Sequence, residues 1–160
     1  EDCLLIFTKA NADTDGRIIN SLIDEYVAKN SQKAMAFTSM GQLRYLSALQ
    51  HVDMVVGNSS SGLLEAPSFK IPTINIGDRQ RGRVLGETII SCNPESVSIT
   101  GAIKKALSQN FKDSIKNSKN PYGEGNPSES ILEILKNAEL QNLIKKKFYD
   151  FHEDIFDRNS

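Results

Sequence analysis

The stretch VDMVVGNSSSGLLEAPSFKIPTINIGDRQRGR, residues 52–83, contains the pattern from which the fold is inferred. Its apolar beginning, 52–57, is a short continuous run of the kind that predicts a buried strand. The segment LLEAPSF then predicts a short helix that Pro67 ends or bends, and PTINIG (72–77) predicts a second strand. A strand, a helix and a second strand in this order predict one unit of a parallel sheet.

The same alternation extends in both directions along the chain. Further strands are predicted at 3–8, 34–39 and 88–92. Helices are predicted from Gly16, at 41–51 with Leu43, Leu46 and Leu49 facing inward, at 96–108, from Pro127 after a polar loop at 117–129, and, as an amphipathic helix, from about 140 to 158. Strands that alternate with helices at steady intervals predict an α/β fold, a doubly wound parallel sheet of the Rossmann-like kind.

Composition restricts the class of protein. The 160 residues suit one domain, 1–160, with 39% hydrophobic and 24% charged residues, and the net charge of −1 gives no reason to expect nucleic acid or a membrane as partner. Cys3 and Cys92 lie in apolar, strand-like surroundings, and we expect them to be reduced, buried thiols of a cytoplasmic protein. Because the chain starts at EDCLLIF without a methionine, we interpret it as part of a longer protein.

The loop after the strand at 52–57 has features of an anion site. In an open parallel sheet, ligands bind beyond the carboxyl ends of the strands. Residues 58–62 lead into a helix, so we expect backbone N–H groups there to lack intrahelical acceptors and, with the serine hydroxyls, to suit a phosphate. Glu65 lies one turn further on and would repel a phosphate, so we assign it to accept hydrogen bonds from a ribose diol.

Arginines follow the next predicted strand, at Arg79, Arg81 and Arg83. If that strand neighbours the first, a guanidinium fork can neutralise a diphosphate there, although Arg81 is expected to be surface. The pattern is neither a Walker A nor a GxGxxG motif. An ordinary strand–helix loop with solvated arginines therefore stays an alternative when the pattern alone is considered.

The block VVGNSSSGLLEAPSFKIPTINIGDRQRGR closely resembles the C-terminal signature of the hydrolysing UDP-N-acetylglucosamine 2-epimerases of bacterial sialic-acid and related nonulosonate pathways. The loop NADTDGR and the segment GQLRYLSALQHVD fit the same family, and the resemblance covers about residues 3–110. It implies a GT-B arrangement, in which two Rossmann-like domains face each other across a cleft. This chain resembles the C-terminal, UDP-binding domain.

The resemblance also implies which residues hold the substrate. Ser59 and Ser60 are expected to bind the diphosphate, Glu65 the ribose hydroxyls and Arg79 the nucleotide, while the uracil is expected against the backbone near Met40. The expected substrate-binding set is Asn11, Asp13, Met40, Ser59, Ser60, Gly62, Glu65, Arg79 and Arg83.

The implied reaction is the conversion of UDP-N-acetylglucosamine and water to N-acetylmannosamine and UDP, through elimination to 2-acetamidoglucal and hydration; a 2,4-diacetamido relative is the other sugar considered. We find no match in this chain for the family's acid/base carboxylates or its active-site histidine, so no catalytic residue is expected here. No cofactor and no metal are implied, and DTDGR lacks the remaining ligands of a calcium loop. The expected partners are UDP or a UDP-sugar, the N-terminal domain of the same enzyme and, for the whole enzyme, further copies of itself.

Three alternatives to the epimerase interpretation are kept. A GT-B glycosyltransferase that uses a UDP-sugar shares the fold and the pairing of a glutamate with the ribose. A non-catalytic nucleotide-binding module and a doubly wound domain without a ligand are the others.

Overall fold

The computed structural model describes residues 3–11, 15–123 and 125–139. The chain divides into two compact units, residues 1–124 and residues 125–160. Asp13 and the amphipathic helix predicted from about 140 lie outside the described residues. No helix in the described ranges is long and apolar enough to cross a membrane.

The first unit alternates strands with helices, as the sequence predicted. Its strands are β1 (Leu5–Thr8), β2 (Ala34–Phe37), β3 (Val55–Gly57), β4 (Thr73–Ile76) and β5 (Ile89–Cys92). Its helices are α1 (Gly16–Lys29), α2 (Gly41–Leu49), α3 (Ser61–Leu64), α4 (Ser96–Leu107) and α5 (Gln109–Ser114), and a 3-10 turn, Ala66–Phe69, lies between α3 and β4. The second unit contains α6 (Pro127–Asn137), which begins at the predicted proline.

All described strand pairs are parallel, which confirms the predicted fold class. The pairs form two sheets, β1–β2 and β3–β4–β5. In the larger sheet Gly57 lies opposite Asn75, and Asn75 lies opposite Ser91. The strand that carries the serines and the strand that carries the arginines are therefore neighbours, and their carboxyl ends meet at the same edge of the sheet.

Helices cover both faces of the three-stranded sheet. On one face Ile74, which is 0% exposed, packs with Ile90 and with Ala102 and Ala106 of α4. The two alanines lie four residues apart, so they share one side of α4 and let the helix approach the strands closely. On the other face Gly62 of α3 lies against Val55 and Thr73. This two-sided cover is the doubly wound packing that the alternation predicted.

Some predictions of local detail were wrong. Leu49 is buried, but Leu43 is 81% exposed and does not face inward. Cys3 is exposed because it precedes β1, while Cys92 is half-buried beside α4; both are free thiols. Helix α3 already ends at Leu64, and Pro67 lies in the first turn of the 3-10 segment, where its missing N–H costs no hydrogen bond.

Candidate functional site

The loop between β3 and α3, residues 58–60, is the serine loop, and it makes a tight turn. The amide of Gly62 donates to the Ser59 carbonyl at 3.2 Å, and the amide of Leu63 donates to the Ser60 carbonyl at 3.0 Å. The Ser61 amide points at the Ser59 hydroxyl at 3.4 Å, a long contact. The expectation of free amides across 58–62 was therefore too broad. Among the described residues, the amides of Asn58, Ser59 and Ser60 are the ones in 58–62 that donate no hydrogen bond.

Gly62 has a packing role beneath this loop. A Cβ atom added to Gly62 would meet Cγ2 of Thr73 at 2.8 Å, which is closer than real Cβ atoms come to their neighbours. Thr73 is a buried residue of β4, so the short helix can lie on the sheet only with glycine at this position. The same contact fixes the distance between α3 and the sheet, and with it the position of Ser59 and Ser60 at the end of β3.

Tyr45 of α2 contacts Ser61, the residue at which the serine loop enters α3. Its hydroxyl forms a short hydrogen bond with the hydroxyl of Ser61, in which either atom can be the donor. Burial raises the pKa of Tyr45; the Ser61 hydrogen bond opposes this rise, and the negative charge of Glu65 adds to it. Glu65 is half-buried, and its charge acts on the Tyr45 hydroxyl. Sequence reasoning missed Tyr45 although GQLRYL was singled out.

The loop between β4 and β5, residues 77–88, is the arginine loop, and it turns back toward the serine loop. The amide of Arg81 donates to the Asp78 carbonyl at 2.8 Å, and the amide of Arg83 donates to the Gln80 carbonyl at 3.2 Å. Arg79, Arg81 and Arg83 are exposed, whereas Gln80 between them is only 5% exposed. Nε2 of Gln80 donates to the Asn58 carbonyl at 2.7 Å. This hydrogen bond joins the arginine loop to the serine loop, and the sequence analysis did not anticipate it.

A cavity of about 300 Å³ lies beside Gln80 at the end of β4. Its lining includes Asn75, Gln80 and Ser91, with Arg81 and Arg83 also contributing. Oδ1 of Asn75 and Oε1 of Gln80 are buried, and neither has a hydrogen-bond partner in the part of the chain that the structure describes. These two oxygens are buried beneath the surface and are not open to a ligand, whereas Arg81 and Arg83 lie at exposed positions.

Asn11 and Met40, the remaining predicted residues that the structure describes, follow the strands of the β1–β2 sheet. The loop after β1 is held by Asn20, which accepts from the Ala10 amide at 2.8 Å and donates to the Ala10 carbonyl at 3.1 Å. The carbonyl of Asn11 lies 2.0 Å from the place a Cβ on Gly16 would take, so this turn requires glycine. Met40 is half-buried directly before α2. Among the described residues, no hydrogen bond joins Asn11 or Met40 to the serine loop, and Tyr45 makes the link from α2 instead.

The match to a known family decides the chain's classification. A model of the UDP-N-acetylglucosamine 2-epimerase family matches residues 1–136. The chain belongs to this family. The match extends past the 3–110 that the sequence analysis expected and includes the loop NPYGEGNPSE and most of α6.

Individual relatives agree with the classification. The chain is 46% identical over 147 residues to the GDP/UDP-N,N'-diacetylbacillosamine 2-epimerase (hydrolyzing) of Campylobacter jejuni. The aligned region covers 91% of the chain and 38% of that protein. The chain is 33% identical to the UDP-N-acetylglucosamine 2-epimerase of Neisseria meningitidis, covering 82% of the chain and 35% of that protein. The chain thus spans about two fifths of the length of these relatives.

Solved structures support the fold of this chain. The Methanocaldococcus jannaschii UDP-GlcNAc 2-epimerase in complex with UDP-GlcNAc and UDP is similar, with a TM-score of 0.66 at 22% identity over 84% of this chain and 36% of that one. The Neisseria meningitidis enzyme bound to UDP-GlcNAc gives a TM-score of 0.60 at 21% identity, over 86% of this chain and 45% of that one.

Proposed function

We propose that this chain is the C-terminal, UDP-binding half of a hydrolysing 2-epimerase that acts on a UDP-activated 2-acetamido sugar. The observation that carries the proposal is the joining of two loops at the carboxyl end of one sheet. The serine loop after β3 and the arginine loop after β4 are held together by the Gln80–Asn58 hydrogen bond. Binding at this edge is typical of open parallel sheets.

Each part of the site matches one part of the nucleotide. The Ser59 and Ser60 amides and hydroxyls donate to the diphosphate, and the exposed guanidinium of Arg79 supplies positive charge beside them. Glu65 lies directly after α3, just beyond the serines, and accepts from the ribose hydroxyls. The backbone at Met40 takes the uracil, and Asn11, Asp13 and Arg83 complete the set as contacts to the substrate.

The proposed reaction consists of an elimination and a hydration. A base removes the proton on carbon 2 of the sugar while the bond between carbon 1 and the UDP oxygen breaks, which gives a 2-acetamidoglucal. Water then adds across the double bond, with hydroxyl to carbon 1 and a proton to carbon 2 on the opposite face. The role of this chain is to bind UDP and to stabilise the charge on the departing diphosphate. The acid/base carboxylates are assigned to the rest of the enzyme.

A titration of the 160-residue chain with UDP, followed by backbone amide NMR, tests the proposal. Half of a cleft binds weakly, and a dissociation constant on the order of 1 mM corresponds to about 4 kcal/mol, which NMR detects. We expect shift changes at Ser59, Ser60, Glu65 and Arg79, larger with UDP than with ADP. Equal responses to the two nucleotides, or changes confined to other surfaces, would overturn the proposal.

Matched variants separate the roles of the charged residues. Glu65→Gln and Arg79→Ala are expected to weaken UDP binding. Glu95→Gln and Lys104→Ala make the same kinds of change at exposed positions on α4 or just before it, and they are expected to leave binding unchanged. If the domain bound no ligand, none of these four substitutions would change a binding signal.

Turnover distinguishes the epimerase half from the alternative functions. The chain alone is expected to bind UDP-N-acetylglucosamine without releasing UDP from it, and UDP release would contradict the assignment of catalysis to the missing part. On the whole enzyme, an epimerase forms a free 2-acetamido sugar from donor and water, whereas a glycosyltransferase requires an acceptor. The relative at 46% identity is named for a diacetamido sugar, so both that donor and UDP-N-acetylglucosamine belong in the assay.

A further inference from the structure

We propose that Gln80 is a positioning residue: its side chain holds the serine loop in the geometry that receives the diphosphate and directs the neighbouring arginines outward. This inference rests on the proposed UDP site and adds a residue to it. Gln80 is buried and makes no part of the exposed surface on which Arg79 lies. It therefore acts through Asn58, Arg79 and Arg81 and not by touching the ligand.

The hydrogen bond has the geometry of a structural anchor. Nε2 of Gln80 lies 2.7 Å from the Asn58 carbonyl, and the two residues are 22 positions apart in sequence. Since a carbonyl only accepts, the amide of Gln80 must present its NH2 group to Asn58, so the orientation of the side chain is fixed. Asn58 immediately precedes Ser59, and the amides of both residues donate no hydrogen bond in the described part of the chain.

The backbone of the arginine loop brings Gln80 to this position. Gly77 has a φ of +74°, a conformation that favours glycine, and lets the chain leave β4 sharply. The turn from Asp78 to Arg81 then returns the chain toward β3. Successive residues in this turn point in different directions, so burial of Gln80 leaves Arg79 and Arg81 on the exposed side.

The chain offers a matched control for this bond. Asn120 also uses a side-chain amide to fasten a distant backbone carbonyl, because its Nδ2 donates to the Leu64 carbonyl at 2.8 Å. Leu64 lies at the other end of α3 from the serines. Removing the Asn120 amide costs this hydrogen bond, a second one that Nδ2 donates to the Ser68 hydroxyl at 2.8 Å and one that Oδ1 accepts from the Tyr122 amide at 3.0 Å, all away from the loop at Asn58.

The test compares Gln80→Met and Asn120→Leu, which keep the approximate side-chain size and remove the amide. Dissociation constants for UDP and for uridine are measured by NMR, so that the phosphate contribution is isolated as their ratio. For Gln80→Met we expect UDP binding to weaken about tenfold, the effect of one lost hydrogen bond of this class, while uridine binding changes less than about twofold. For Asn120→Leu both constants are expected to match the unchanged chain.

The outcomes separate this inference from the proposed function. If the unchanged chain binds UDP no better than uridine, the phosphate site itself is wrong. If it prefers UDP and Gln80→Met keeps the full preference, or if Asn120→Leu loses as much, the positioning role is wrong. Thermal unfolding checks that each variant folds. Should Gln80→Met unfold, Gln80→Asn keeps the amide but is one methylene too short to reach Asn58, and the same loss of preference is expected.

Discussion

Substitution of Gly62 by alanine tests how the serine loop is seated on the sheet. The new Cβ would lie 2.8 Å from Cγ2 of Thr73, whereas carbon atoms in contact are normally about 3.5–4.0 Å apart. Overpacking of this kind costs about 1–3 kcal/mol, and the gain in helix propensity from glycine to alanine returns up to about 1 kcal/mol. We therefore expect Gly62→Ala to lower the free energy of unfolding by about 1 kcal/mol, which for a chain of this size lowers Tm by about 2–4 °C.

The partner substitution is Thr73→Ser, which removes the methyl group in the collision and keeps the hydroxyl. Alone it costs about 1 kcal/mol for a lost buried methyl. In the Thr73→Ser background, the Cβ introduced by Gly62→Ala enters the space that the methyl left, so the same substitution is expected to become stabilising by up to about 1 kcal/mol. The sign of the effect of Gly62→Ala should thus reverse between the two backgrounds.

Urea unfolding followed by circular dichroism gives the four free energies of this cycle. Gly101→Ala in α4 is the control, because a Cβ there meets nothing within 4 Å, and it is expected to stabilise the protein by up to about 1 kcal/mol in either background. An effect of Gly62→Ala that is equal with and without Thr73→Ser would refute the packing argument.

Two further predictions concern the core and the buried tyrosine. Ile74→Val, at a side chain 0% exposed, is expected to cost about 0.5–1.5 kcal/mol in urea unfolding, whereas Val97→Ala, at 85% exposed, should change stability by less than about 0.5 kcal/mol; similar losses would refute the assignment of the core. Burial raises the pKa of Tyr45 above its ordinary 10.0, so the unfolded chain loses the phenol proton at a lower pH than the folded chain does. The contribution of this group to the free energy of unfolding is therefore present below about pH 10 and is lost as the pH rises further. The urea midpoint should accordingly fall more between about pH 8 and about pH 11 for the unchanged chain than for Tyr45→Phe, and equal falls would count against the buried phenol.

The elements of the sheet were predictable from sequence because their signals are local. Apolar runs such as CLLIFT and PTINIG identify strands, although Ile6 in the first run is 44% exposed and that strand is not buried on both faces. The order of strands and helices identifies a parallel sheet. The inward face of α2 was less predictable. Leu43 has the spacing of a core residue but is 81% exposed, because spacing along one helix does not say whether another element covers that side.

The candidate site was predictable only in its parts. Serines after one strand and arginines after the next indicate an anion site, and the resemblance to a family assigns the individual roles. The residues that join the parts were missed. Tyr45 and Ser61 are 16 positions apart, and Gln80 and Asn58 are 22 apart, so neither pair leaves a local pattern. Gln80 was passed over because a glutamine between arginines resembles solvated surface until the turn that buries it is known.

The arginine loop also matters for folding, because it connects two neighbouring parallel strands, β4 and β5. Parallel strands need a crossover of about a dozen residues, usually a helix, to bring the chain back to its starting edge. Between β4, which ends at Ile76, and β5, which begins at Ile89, that crossover contains no helix among its residues. The segment that carries the arginines is therefore also the only covalent route by which β5 reaches its place beside β4. A ligand that immobilises the loop would slow hydrogen exchange at the amides of β5, and a protease cut in the loop would leave that edge strand held by its pairing with β4 and by its packing against α4.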